Sequence, residues 1–133
     1  MKRIFRINTN LTEERDEEID KSLDNSDREI INMVADDDEF STFDITDDEG
    51  YLVSYILGDQ KQINLMVSML IKYEIKHTVT DITKEFMMGR ISIPTLDFRE
   101  YYHNNLTKDL ILDKINEYGK ESLTSFELEF LKS

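Results

Sequence analysis

The chain has 133 residues, 39% hydrophobic and 34% charged, with a net charge of −13 and no cysteine. This length suits one core that buries about two thirds of the unfolded surface, and the lack of cysteine excludes disulfides, thiolate metal sites and cysteine nucleophiles. No stretch approaches the roughly 18 apolar residues of a membrane helix, and the basic N-terminus lacks the apolar run of a signal peptide, so a cytoplasmic location is expected.

In chain order, residues 3–8 alternate side chains with β-branched and aromatic content, which predicts a first strand. Asn10 with Glu13 has the spacing of a capping box and predicts a helix over about 11–24. Its only apolar anchors are Leu11, Ile19 and Leu23, so it reads as a solvated helix. Ser26 with Glu29 opens a second predicted helix at 27–35, which Asp36, Asp37, Asp38 and Glu39 end: four adjacent acids repel one another near the negative pole of the helix. Strands are predicted at 40–45 and 51–57, joined through the turn-rich Thr46-Asp47-Asp48-Glu49-Gly50.

Asp59 with Gln62 caps a predicted helix over 60–73, on which Ile63, Met66, Val67, Leu70 and Ile71 recur at helical spacing. A strand over 75–82 follows. Strand–helix–strand with short links implies a right-handed crossover and a parallel pair, either adjacent or with a third strand between them. Phe86-Met87-Met88-Gly89 either closes a short helix or opens a strand, and a strand over about 89–93 is favoured. Thr107 then caps a helix that Gly119 stops, and Thr124 with Glu127 opens a last helix through Leu131. The expected fold is α+β: a small mixed sheet of four to five strands, ferredoxin-like or similar, over residues 1–106 with an acidic helical segment at 9–39, plus a C-terminal helical hairpin at 107–133 packed on it or serving as a docking unit.

The stretch from Ile111-Leu112-Asp113-Lys114-Ile115 through Gly119 and Ser122-Leu123-Thr124 to Phe130-Leu131 resembles the small helical-hairpin tail of some bacterial rhomboid-family proteins. The resemblance covers about 20 residues and none of the α+β body. It implies a bacterial origin and a packing or docking role for the hairpin. No activity carries over, because nothing here resembles the rhomboid membrane helices.

Charge is distributed unevenly. Residues 9–49 hold 17 carboxylates against Arg15, Lys21 and Arg28, whereas residues 1–8 carry Lys2, Arg3 and Arg6 without an acid. Such a field repels nucleic acid and anionic membrane and favours a protein partner with a basic surface. The candidate partner-binding residues are Asp36, Asp37, Asp38, Glu39, Asp44, Asp47, Asp48 and Glu49. A calcium loop around Gly50 is a poor fit, since the EF-hand spacing would place Ile45 and Ile56 at ligand positions. His77 and His103 stand apart from any Ser/Asp set, and Gly58 and Gly89 are too isolated for a phosphate loop. No catalytic residue, metal or cofactor is expected.

Two other readings stay open. One is a small enzyme or ligand-binding domain with Asp59, Asp81 and Thr83 at the strand ends. The other is a homo-oligomeric accessory protein docking through its hairpin. Met66, Met69, Met87 and Met88 fill a core or line an adaptable surface.

Overall fold

The computed structural model describes residues 1–133 and divides into two units, Met1–Thr83 and Lys84–Ser133. The first holds four strands: β1 (Arg3–Thr12), β2 (Ser41–Thr46), β3 (Tyr51–Gly58) and β4 (His77–Asp81). Helices α1 (Glu13–Ser22) and α2 (Asn25–Ala35) lie between β1 and β2 in the chain, and α3 (Gln60–Lys72) lies between β3 and β4. The strand order is β2-β3-β1-β4 and every neighbouring pair is antiparallel. Thus β3 and β4 run the same way with β1 inserted between them, which is a split βαβ unit. The order and directions are those of a ferredoxin-like βαββαβ sheet with two helices in its first connection.

The register sorts the side chains. Phe5 faces Ile56 across the β1–β3 ladder, and with Ile7 and Ile63 they form a buried cluster against which Phe40, Met66, Val67 and Leu70 pack. Helix α3 therefore covers the Phe5 face, because its apolar residues recur at the three- and four-residue spacing of one helix stripe.

β1 is longer than expected. Residues 9–12, placed in the acidic segment with a helix expected from about 11, continue the strand past a bulge to pair Thr12 with Tyr51. Pairing wins because Leu11 is buried and the backbone N–H of Asn10 donates to the Lys76 carbonyl at 3.1 Å. The cap passes from Asn10 to Thr12, whose hydroxyl accepts from the Arg15 N–H at 3.2 Å. Helix α2 also starts earlier than Ser26 implies: Asp24 and Asp27 form the capping box, at 2.8 and 3.2 Å.

The second unit is helical. After α4 (Thr83–Met87), which straddles the boundary, come α5 (Leu96–Asn105), α6 (Lys108–Tyr118), a 3-10 turn at Lys120–Ser122 and α7 (Ser125–Lys132). The strand assigned to 89–93 is absent. Helix α4 closes instead in a Schellman motif, with Gly89 at φ +78° donating to the Phe86 carbonyl and Arg90 donating to Glu85. Ile93 is then buried in an irregular segment. Thr107, Gly119 and the Thr124/Glu127 box occupy the cap positions read from the sequence. Phe86 on α4 meets Phe98 on α5 edge to face at 6.1 Å, and the Tyr102 hydroxyl of α5 donates to Glu127 of α7.

Candidate functional site

Seven of the eight acidic candidates fall at the two ends of β2, and Asp44 lies within the strand. Asp36, Asp37, Asp38 and Glu39 join α2 to β2, and Asp47, Asp48 and Glu49 form the β2–β3 turn. Six strand residues at about 3.3 Å each separate the two groups by roughly 20 Å. All eight except Asp37 are exposed.

Two of the eight are committed to the fold. Asp37 pairs with the Lys2 ammonium and accepts from Gln62 Nε2 at 2.9 Å. Hydrogen bonding from Lys2, then from the Glu39 backbone N–H, holds its carboxyl below the usual range. Asp47 Oδ1 accepts from the backbone N–H groups of Glu49 at 2.9 Å and Tyr51 at 3.0 Å, which shapes the turn before Gly50 at φ +83°.

Asp44 carries the most information. Partial withdrawal from water, followed by the carboxylates of Asp20, Asp44 and Glu17, raises the carboxyl of Asp16 above its ordinary value. A carboxylate of β2 therefore shares one negative field with the solvated helix α1.

Beside these acids lies an apolar groove of about 140 Å³, lined by Ile30, Ile31, Val34, Ala35, Phe40, Thr42, Met66 and Met69. Of the four methionines considered, Met66 and Met69 line this groove, whereas Met87 and Met88 are buried. Phe40, which lines the groove, packs over Gly58. A Cβ there would stand 2.9 Å from Gln62 Oε1 and 3.2 Å from the Phe40 ring, so only glycine lets both side chains settle against β3.

The groups suggested for a strand-end pocket are occupied locally. Asp59 caps α3 by accepting from the Gln62 N–H at 2.8 Å. Asp81 pairs with Arg3 at 2.5 Å and accepts from the Thr83 hydroxyl at 2.7 Å, and the Thr83 hydroxyl oxygen accepts from the Ile4 N–H at 2.9 Å. His77 Nδ1 lies 2.9 Å from the Ile75 carbonyl, and His103 stacks on Phe126 at 4.5 Å. No group of three or more His, Asp or Glu side chains is arranged to hold a metal ion, and no helix is long and apolar enough to cross a membrane.

Sequence reasoning missed two buried carboxylates. Asp27 is 1% exposed; it bonds Lys72 Nζ at 2.6 Å and accepts from the Tyr73 hydroxyl. Hydrogen bonds from Lys72 first and Tyr73 second pull its pKa down to about 2. In the second unit Glu127, also 1% exposed, meets Lys114 Nζ at 2.9 Å, the Tyr102 hydroxyl at 2.8 Å and the Thr124 N–H at 2.9 Å. Burial pushes its carboxyl up, but Thr124, Lys114 and Tyr102 together outweigh that and leave it below the usual range. The capping-box spacing Asp24/Asp27 was the one available signal for the first; the Lys and Tyr partners lie 45 and 46 residues away in the chain. No family model, curated protein or solved structure matches this chain.

Proposed function

We propose that this chain is a non-catalytic acidic protein-binding module, of the inhibitor or immunity type, that covers a basic surface on a protein partner. What supports the reading is the raised Asp16 carboxyl: it is partly withdrawn from water and, next to that, the carboxylates of Asp20 and Glu17 on α1 and Asp44 on β2 disfavour its charge. Like charges held together in this way gain from a cationic partner that relieves their repulsion. Met1–Thr83 carries 20 carboxylates against nine bases, and Lys84–Ser133 nine against seven, so the first unit supplies the field.

The strand-end enzyme reading has less behind it, because Asp59, Asp81 and Thr83 already satisfy backbone and side-chain partners. The test is affinity capture from host extract at low and moderate salt, with the wild type and with a variant carrying Asp36→Asn, Asp38→Asn, Glu39→Gln and Asp44→Asn. The expected result is a basic protein held by the wild type, released by salt and lost from the variant. Equal capture by both forms, or no basic protein under either condition, would overturn the reading.

A further inference from the structure

We infer that the groove between α2, α3 and β2 seats the apolar side chains of a basic amphipathic segment of the partner. This deepens the acidic-module reading and rests on it. The groove is lined almost wholly by carbon: Ile31, 40% exposed, stands at its mouth, and Met66 and Met69 contribute unbranched thioether chains that adapt to differently shaped guests. About 140 Å³ is on the scale that accepts a benzene-sized group, which suits one large side chain with part of a second.

The charge around the groove defines the guest. Asp36 follows Ala35 directly, and Asp38 and Glu39 precede Phe40. Asp44 lies two residues beyond Thr42 and so on the same face of β2, within the field that raises Asp16. Among nearby bases, Lys2 is paired with Asp37 and Lys72 with Asp24 and Asp27, while Arg28 bonds the Asp20 carbonyl and keeps its charge against the four rim acids. An apolar groove with an anionic rim selects a segment that places Leu-like residues on one face and Lys or Arg on its flanks, the helix-in-groove mode of recognition. A second copy of this chain is a poor guest, because its own first unit has 20 carboxylates against nine bases and would repel the rim.

The probes are three synthetic peptides of equal length: an amphipathic Leu/Lys helix, its Leu/Glu counterpart, and a Lys/Ser peptide matching the first in charge. Binding is followed by the methionine methyl NMR signals of the full chain and by calorimetry. The Leu/Lys peptide is expected to shift the Met66 and Met69 methyls, leave those of Met87 and Met88 in place, and bind at least tenfold more weakly to an Ile31→Ser variant. Ile31 is exposed enough for that variant to fold, and unchanged amide signals of the paired Phe5 and Ile56 in the core of the same unit check that it does.

If Leu/Lys and Lys/Ser peptides bind equally without moving Met66 or Met69, the groove inference is wrong while the acidic docking reading survives. If neither binds, both fail. Equal binding of the Leu/Glu peptide overturns the electrostatic half of the inference, and unchanged affinity in Ile31→Ser overturns the apolar half. A wild-type dimer in sedimentation that Ile31→Ser dissociates would assign the groove to a second copy and overturn the proposal.

Discussion

The two units solve one problem in two ways. Each buries a single carboxylate at the third position of a capped helix, Asp27 on α2 and Glu127 on α7, and each satisfies it with one lysine and one tyrosine. The lysines differ. The Lys72 side chain is 47% exposed, whereas that of Lys114 is 8% exposed. In the first unit the cation keeps much of its hydration and the anion alone loses water. In the second both ions are dehydrated and depend on each other. The contrast teaches that identical partners do not imply equal energetic weight, because desolvation sets the cost of losing one of them.

The largest expected effect follows from this. Lys114→Met leaves Glu127 buried without its cation and should destabilise the second unit by about 3–5 kcal/mol, read by urea unfolding with NMR signals from α6 and α7. A loss below about 1 kcal/mol would mean that water reaches Glu127. Tyr102→Phe removes one donor to the same carboxylate and should cost about 1–3 kcal/mol by the same readout. The comparison breaks if Lys72→Met is as damaging to the first unit as Lys114→Met is to the second. Its expected effect is smaller than either of those, since Tyr73 still donates and the solvent can approach the Lys72 side.

Acid titration sharpens the contrast further. The folded pKa of Asp27, about 2, lies below its unfolded value of about 3.9. The ionised form therefore favours folding. Its contribution is complete above the unfolded value and is lost as pH falls from about 4 toward 2. Asp27→Asn should flatten the decline in first-unit stability over that window, measured by denaturant midpoints at successive pH values; an unchanged slope would assign the decline elsewhere. Lys72 beside it is held above its ordinary value, chiefly by its hydrogen bond with Asp27, so it stays charged through the same range.

The smallest effect concerns the anion without a cation. Asp44→Asn should lower the pKa of Asp16 without measurably destabilising the fold, as read from Asp carboxyl NMR titration. No movement would separate β2 from the α1 field and remove the support for the acidic face.

Much of the architecture was legible because its signals are local. Asp59 with Gln62, Thr107, Gly119 and Thr124 with Glu127 each act within four residues, and each occupies its expected position. Residues 51–57 read as a strand because their apolar residues serve both faces of the sheet, and β3 runs one residue further, to Gly58. Less of the candidate site was legible. Asp37 looks like any member of an acidic run, yet Lys2, 35 residues earlier, removes it from the exposed set. The groove could not be read at all, since its lining comes from α2, the α2–β2 link, β2 and α3 and is brought together only by packing.

By itself the sequence determined where α3, α6 and α7 begin, the glycine that stops α6, the α+β class, and the concentration of negative charge before residue 50. These follow from capping hydrogen bonds, side-chain periodicity and composition, all of which act over a few residues or none. Only the tertiary structure decided that β1 runs on to Thr12, that 89–93 turns instead of pairing, and which acids stay exposed. Each of those outcomes depends on a partner distant in the chain or on competition between two local choices, and folding settles such competition through burial and backbone pairing.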